Sequence, residues 1–357
     1  MTNTPRPKPR SGNPPTPPNR RAYGSGDSLP PKPYELISFP DKPPSLRSPA
    51  GHQNYLRDRL HGSISLSLKV ESPVHVSTGV VVMGSDISSR VPLIKPMVQG
   101  TDQHLSIQGS SLKGCIRAVY EAITNSTLAV VTSRYRDKIP TERLPCRDKK
   151  KLCPASQVFG ALDWQGLVEF SDAKCESNGF TTGFMPSLYR PRPDQRSAYF
   201  VRGRVAGRKF YYHAVRAIDP GQRGIPVQQA GKAYTFTTQL SFKNLTKAEL
   251  GTLLVVLGQD PEYPIVLKVG GGKPIGMGTM TVMVNEIKEV EGIQALRDRY
   301  SAYTVAESET LTGNRLQQFM QQMIQSAHQD LIEHSQLKQL TNVLRYPTDR
   351  EPPAGMY

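Results

Sequence analysis

The sequence lacks long apolar runs and has few cysteines. No apolar run reaches roughly 18 residues, so we expect no membrane-spanning helix and no membrane partner. The N-terminus also lacks the apolar core of a signal peptide, which argues against secretion. Free thiols in a reducing compartment are then the default for the four irregularly spaced cysteines, which are Cys115, Cys146, Cys153 and Cys175. We therefore expect a cytoplasmic protein.

Acidic residues are too few to balance the basic ones. The 357 residues include 30 Asp and Glu against 45 Lys and Arg, which gives a formal net charge of +15. An excess of this size favours a polyanionic partner, either a nucleic acid or an acidic membrane surface.

Proline is unevenly distributed, since 14 of the 31 prolines fall within residues 1–50. Such a composition buries too little apolar surface to offset the loss of chain entropy. We therefore predict an extended, basic, proline-rich tail over residues 1–60, which becomes ordered on a partner or serves as a passive linker.

The periodicity of apolar residues changes from residue 61. Ile64, Leu66, Leu68 and Val70 alternate with polar residues, which predicts a half-buried strand, and residues 112–123 have helical spacing. A later strand–helix–strand series and a C-terminal amphipathic helix follow. This order predicts an α+β, ferredoxin-like fold with one sheet and helices on one side.

The motif "GSSLKGCIR" at residues 109–117 precedes the first predicted helix. Ser110 or Ser111 could cap the helix, leaving first-turn amides that suit a phosphate. Lys113 and Arg117 lie one turn apart on roughly the same face. Taken alone, a capped helix with an exposed lysine is the simpler interpretation.

Two further segments suit a nucleic acid. The loop "VGGGKPIGMG" (269–278) has a backbone that a ligand could approach closely at Gly270, Gly271 and Gly272, with Lys273 adding charge. Residues 189–216 interleave aromatic rings with basic residues that include Arg202, Arg204, Arg208 and Lys209, which suits single-stranded RNA or DNA. A flexible hairpin and a solvated hairpin are the respective alternatives.

Evidence for a metal or a catalytic group is weaker. Six residues separate Cys146 from Cys153, and a zinc site would need Cys175 or His104 to complete it, so we expect no structural zinc. His75 and His213 have the pattern of structural strand residues. An isolated loop aspartate such as Asp86 is usually a turn residue.

Together the motifs resemble the RAMP superfamily of CRISPR-associated proteins, specifically the backbone (Cas-seven-type) subunits of type III effector complexes. The motifs occur in one order: "SPVHVSTG", "IQGSSLKGCIR", "LCPASQVFGALDWQGLVEFSDA", "GRKFYYHA", "LSFKNLTKAELGTLLVVL" and "GGGKPIGMGTMTV". The resemblance implies a modified ferredoxin-like (RRM-like) domain over residues 61–290. It also implies a thumb hairpin inserted within 181–232 and a C-terminal helical segment (291–357) packed on the domain.

The resemblance also implies functions for individual residues. The guide RNA backbone would contact the helix start and the glycine-rich loop, and the inserted thumb would separate segments of the guide–target duplex. The implied RNA contacts are Ser110, Ser111, Lys113, Arg117, Arg202, Arg204, Arg208, Lys209, Gly270, Gly271, Gly272 and Lys273. The implied partners are the CRISPR guide RNA, single-stranded target RNA, other RAMP subunits and the large subunit of the complex.

Several members of that family cleave target RNA with an aspartate in the loop after the first strand. Asp86 matches that place, but the following stretch is longer than expected, so Asp102 is a rival. A divalent cation such as Mg²⁺ is compatible with such cleavage. A non-cleaving structural subunit and a CRISPR-repeat endonuclease (Cas-six-like), which would depend on a catalytic histidine, are the alternatives.

Overall fold

A computed structural model describes residues 33–186, 199–216, 224–289, 301 and 309–352. The proline-rich residues 1–32 and parts of the predicted thumb, 187–198 and 217–223, lie outside the described residues. Five α-helices occur within the described ranges: α1 (Gly109–Ile123), α2 (Pro154–Phe159), α3 (Lys247–Val256), α4 (Gly313–Asp330) and α5 (His334–Leu344).

The strands of the described ranges are, in chain order, β1 (Tyr34–Ser38), β2 (Leu60–Val70), β3 (Val82–Met83), β4 (Leu93–Ile94), β5 (Ser106–Ile107), β6 (Gly160–Ala161), β7 (Trp164–Gln165), β8 (Val168–Phe170), β9 (Ala173–Cys175), β10 (Thr181–Pro186), β11 (Phe200–Val201), β12 (Arg204–Val205), β13 (Gly207–Tyr211), β14 (Gly224–Gln229), β15 (Thr235–Leu245), β16 (Leu267–Lys268), β17 (Thr279–Glu289) and β18 (Glu309–Leu311). Short 3₁₀ helices cover Gly84–Ile87, Ser133–Lys138, Thr141–Arg143 and Lys273–Ile275.

The central sheet is antiparallel, with strand order β16–β17–β2–β15–β9–β5. β18 also pairs with β17, and β8 also pairs with β15. Helix α1 connects β2 to the β8–β9 edge, whereas α3 connects β15 to β16 and β17, and the two helices contact each other. The strands β17, β2, β15 and β9 therefore have the 4-1-3-2 order of a ferredoxin-like sandwich, which confirms the predicted fold class.

Local sequence explains these elements. The apolar residues of β2 are buried against the helices, whereas Ser63, Ser65 and Ser67 alternate with them on the opposite face. A capping box begins α3: Glu249 N–H donates to Thr246 Oγ1 (3.1 Å) and Thr246 N–H donates to Glu249 Oε2 (2.8 Å). The helix is buried along its length because α4 packs against it.

The expectation of an extended tail through residue 60 is wrong for residues 33–60. Strand β1 pairs with β13 in antiparallel register, and its Ile37 is 1% exposed. Arg47 and Leu152 exchange two backbone hydrogen bonds farther along. The short apolar pattern of β1 is hidden among prolines, and its partner strand lies 170 positions later in the insertion, so composition alone did not reveal it.

The C-terminal segment packs on the sheet and the helices. β18 extends β17, α4 lies against α3, and α5 contacts both α1 and β1. Within the described residues, none of the helices has the length and apolar character needed to cross a membrane.

Candidate nucleic-acid interface

The N-terminal cap of α1 differs from the predicted one. Neither Ser110 nor Ser111 caps the helix, because Gln108 occupies the N-cap position and no side-chain hydrogen bond closes it. Instead, Gly109 N–H donates to Asp172 Oδ1 at 2.8 Å, across 63 positions of sequence. A Cβ at position 109 would lie 2.0 Å from Phe170 O. Glycine therefore lets the helix start approach β8 closely enough for the Asp172 carboxylate to reach it.

One face of the first turns of α1 remains open. Ser110 and Gly114 are both exposed, and a Cβ at Gly114 would meet nothing within 4 Å. Lys113 beside them is half-buried, and its ammonium donates to Val168 O at 2.8 Å. Burial and then the nearby Arg117 lower the pKa of Lys113. The exposed backbone at Gly114 is therefore better placed than the Lys113 ammonium for contact with a ligand.

Arg208 is internal, which argues against its predicted role as an RNA contact, whereas Arg117 is partly buried with a side chain that is 19% exposed. Arg117 Nε donates to Glu121 Oε1 at 2.8 Å. Arg208 is 8% exposed, and its Nη2 donates to the carbonyls of Ser126 and Thr127, both at 2.9 Å. Burial lowers the pKa of Arg208 to about 10. The Arg208 guanidinium, surrounded by neighbours distant in sequence, therefore stabilises the core rather than faces a ligand, and the Arg117 guanidinium is held by Glu121 one turn along the same helix.

The glycine-rich loop is tightly packed, in contrast to the flexible hairpin considered from sequence. Gly271 N–H donates to His75 O at 2.8 Å. Gly270 has φ +77°, and a Cβ there would lie 2.5 Å from the same carbonyl, so the position requires glycine. Gly272 is buried at the start of the 3₁₀ turn that carries Lys273, whose side chain is half-exposed. The loop thus presents Lys273 from a fixed backbone.

A direct contact joins the helix start to the glycine-rich loop. Cys115 Sγ on α1 donates to Lys268 O at 3.3 Å, although the two residues are 153 positions apart. Lys268 is the last residue of β16, immediately before the loop. Two motifs that each had an ordinary structural interpretation therefore lie side by side.

Three buried polar residues lie together at this place, of which sequence reasoning missed Gln228 and Lys268 and interpreted His75 only as a structural strand residue. His75 Nδ1 contacts Gln228 O at 2.7 Å, which ties the segment after β2 to β14. His75 Nε2, Gln228 Nε2 and Lys268 Nζ are buried and have no hydrogen-bond partner among the residues that the structure describes. The only signal in the sequence was their polarity within otherwise apolar strand segments.

The first and last strands of the insertion pair with each other. β10 pairs with β14 in antiparallel register and encloses the β11–β12 hairpin, where Arg202 and Arg204 are exposed. Lys209 is placed differently: its ammonium lies 4.3 Å from the ring centroid of Tyr34 and 4.6 Å from that of Tyr211. The two arginines are therefore accessible, whereas Lys209 packs within a cluster of tyrosines.

The two candidate carboxylates have different surroundings. Asp86 is exposed, its Oδ2 accepts from Met83 N–H at 3.1 Å, and no ion pair to it occurs in the described ranges. Asp102 forms an ion pair with Lys174 and accepts from His104 N–H, and these bonds lower its pKa. Of the two, Asp86 retains a carboxylate available to a ligand.

The loop that carries Asp86 is fixed on the insertion. Lys95 N–H, just after β4, donates to Pro226 O of β14 at 2.9 Å. The Asp86 loop, the base of the insertion and the glycine-rich loop are thus linked through β14 and His75.

The cysteines do not form a metal cluster in the described residues. Thr127 Oγ1 lies 3.5 Å from Cys146 Sγ and 3.2 Å from Cys153 Sγ, and all four thiols are free. Hydrogen bonding between the two thiols raises the pKa of Cys146 and lowers that of Cys153. No group of three or more His, Cys, Asp or Glu side chains suited to a metal occurs in those ranges.

Comparison with known proteins supports a family assignment. The family model described as "RAMP superfamily" matches residues 67–281. A search of curated proteins found no match to the chain. The matched range begins within β2 and ends within β17, so it includes α1, the insertion and the glycine-rich loop.

Proposed function

This chain belongs to the RAMP superfamily, and from that premise we propose that it is a guide-RNA-binding backbone subunit (Cas-seven-type) of a type III CRISPR effector complex. The family assignment supports a CRISPR-associated, RNA-binding role. The observation that carries the proposal further is the Cys115–Lys268 contact, which places the α1 start beside the glycine-rich loop.

The chemistry of this junction suits an RNA backbone. Lys273 supplies a partly exposed positive charge, and Ser110 and Gly114 supply an open helix face. Such a surface recognises phosphate and sugar without reading the bases. Sequence specificity would then come from pairing between the guide and its target, as in other RNA-guided complexes.

Further parts of the molecule fit the remaining partners. Arg202 and Arg204, on the hairpin within the insertion, are placed for single-stranded target RNA or for the guide–target duplex. We also propose that this insertion acts as the thumb, and that the chain assembles with other RAMP subunits and with the large subunit.

Removing the Lys273 charge is expected to weaken guide-RNA binding. A phosphate-contacting lysine contributes about one unit to the slope of log affinity against log salt. Lys273→Ala should therefore lower affinity about 3–10-fold at low salt and reduce that slope by about one. Lys113→Ala should have a smaller effect, because its ammonium already donates to Val168 O.

Filter binding of guide RNA across a salt series measures both quantities. Lys338→Ala, an exposed lysine on α5, is the matched control and should bind like wild type. Unchanged affinity and slope in the Lys113→Ala, Lys273→Ala double variant would exclude both motifs from the RNA site.

Asp86 is proposed as the carboxylate required for target-RNA cleavage. Cleavage needs the ribose 2′-hydroxyl in line with its phosphodiester, and a carboxylate could orient that hydroxyl or hold a divalent cation such as Mg²⁺. Asp86→Ala should leave assembly intact and lower the rate of one target cut by about 100-fold or more.

The measurement is target-RNA cleavage by the reconstituted complex, read at nucleotide resolution. Asp102→Ala is the control and should retain cleavage, since that carboxylate is paired with Lys174. If Asp102→Ala loses the cut and Asp86→Ala keeps it, Asp102 rather than Asp86 is the carboxylate required for cleavage. Absence of cutting by the wild-type complex would identify a non-cleaving subunit.

A Cas-six-like repeat endonuclease is less well supported. Such an enzyme would depend on a catalytic histidine, but both ring nitrogens of His213 are engaged, by Thr279 Oγ1 and by Val266 O. Burial lowers the pKa of His213 to about 3, so the ring is uncharged near neutral pH. His75, buried and bonded to Gln228 O, is similarly enclosed.

A further inference from the structure

Cys146 and Cys153 lie against each other at the two ends of a short basic loop. Cys146 Sγ accepts a hydrogen bond from Cys153 N–H at 3.3 Å. The two thiols also hydrogen-bond to each other. Thr127 Oγ1 contacts both sulfur atoms, at 3.5 Å for Cys146 and 3.2 Å for Cys153. Two free thiols, six residues apart in sequence, are therefore within reach of each other in the folded chain.

The two thiols differ in their access to solvent. Cys146 is partly exposed, and the adjoining residues 147–151 are exposed. Cys153 is 0% exposed, and its Sγ lies 3.3 Å from Ser156 Oγ inside the fold. A small reagent from solvent therefore reaches the Cys146 sulfur first, with the Cys153 sulfur behind it.

The surroundings of Cys153 favour a negatively charged sulfur. The buried guanidinium groups of Arg143 and Arg208 interact with it electrostatically, whereas the carboxylate of Glu121 acts in the opposite sense. Hydrogen bonding to Cys146 lowers the pKa of Cys153, although burial opposes that shift. A thiolate next to a thiol can accept its proton, so Cys153 is placed to act as a base toward Cys146.

We propose that Cys146 and Cys153 form a redox-sensitive site, in which a small peroxide converts the two thiols to a reversible intramolecular disulfide. Cys146 reacts with the peroxide, and Cys153 then closes the disulfide. The ring so formed fixes the exposed basic residues 147–151 at both ends. It includes Leu152, which exchanges two backbone hydrogen bonds with Arg47. The site does not depend on the proposed RNA-binding function.

The oxidation has two steps, shown here for hydrogen peroxide. The Cys146 sulfur attacks one peroxide oxygen, the O–O bond breaks and hydroxide leaves, while the Cys146 proton passes to Cys153. This step leaves Cys146 as a sulfenic acid. The Cys153 sulfur then displaces the sulfenic hydroxyl group, which leaves as water with the Cys153 proton as the S–S bond forms. One peroxide molecule is thus reduced while the two sulfur atoms are oxidised.

The test is treatment of the reduced full chain with a modest excess of hydrogen peroxide, followed by peptide mapping without reduction. Residues 147–151 contain tryptic sites, so a tryptic digest separates the two cysteines if no disulfide joins them. In wild type, a cross-link should join the Cys146 and Cys153 peptides. Both thiols should become inaccessible to alkylation, and dithiothreitol should restore them.

Two variants give the comparison. Cys146→Ser should leave the Cys153 thiol reduced after peroxide treatment, because the solvent-accessible sulfur of the pair is gone. Cys115→Ser removes the other partly exposed thiol and is the matched control, so it should form the cross-link like wild type. The wild-type result decides the proposal even if Cys146→Ser folds poorly.

Three outcomes would overturn the proposal. The first is that both thiols of peroxide-treated wild type stay open to alkylation. The second is a cross-link of Cys146 to Cys115 or to a second chain in place of Cys153. The third is oxidation of Cys146 that ends at a sulfenic or sulfinic acid, because Cys153 would then not close the disulfide.

Discussion

Replacing Glu121 with glutamine is expected to lower the free energy of unfolding by about 3–5 kcal/mol, because it removes one partner of a buried charge cluster. Glu121 Oε1 accepts from Arg117 Nε at 2.8 Å, and Oε2 lies 3.9 Å from Arg208 Nη2. The carboxyl side chain is 7% exposed. Without it, the buried Arg208 guanidinium and the partly buried Arg117 guanidinium would lie near each other with no negative charge between them.

Chemical denaturation of the variant and of wild type measures this loss. Glu169→Gln is a matched control, since Glu169 is exposed on β8 and its replacement should change stability by less than about 0.5 kcal/mol. A Glu121→Gln variant within 1 kcal/mol of wild type would show that the cluster does not depend on this carboxylate.

Deleting residues 1–50 is expected to destabilise the fold by at least about 4 kcal/mol, whereas deleting residues 1–32 should cost less than about 1 kcal/mol. The longer deletion removes β1, with buried Tyr34 and Ile37, from its pairing with β13. It also removes the carbonyls of Pro40 and Lys42, both of which accept from Arg143 Nη2.

Arg143 explains why the loss of the Pro40 and Lys42 carbonyls should destabilise the fold. It is 1% exposed, so loss of these two acceptors leaves a buried guanidinium group with unsatisfied donors. Denaturant midpoints of the two truncations, measured beside wild type, give the comparison. Equal stability of both truncations would mean that β1 adds nothing to the folded core.

The main elements were predictable because periodicity is a local property, and the order of those elements predicted the fold class. Alternation in β2 and the capping box of α3 are each contained within a few residues. Strand β1 was missed since its five residues lie in a proline-rich context and are stabilised only by β13. The cap of α1 was also missed because its partner is distant in sequence: the sheet brings Asp172 to Gly109.

The candidate site divides in a similar way. The order of the motifs, the glycine-rich loop and the excess of positive charge were evident from the residues themselves. Which of the charged side chains are exposed was not evident from the sequence. Arg208 and Lys209 follow Arg202 and Arg204 closely in sequence, but only the latter two are exposed.

The sequence by itself therefore determined the class of fold and the type of partner, since both depend on local periodicity, composition and motif order. Only the tertiary structure decided which charged groups can meet that partner. It paired Asp102 with Lys174 while leaving Asp86 exposed, and it buried Lys268 immediately before the loop that contains Lys273. Burial and pairing are set by neighbours distant in sequence, such as Lys174 for Asp102, and no local pattern encodes which neighbours those are.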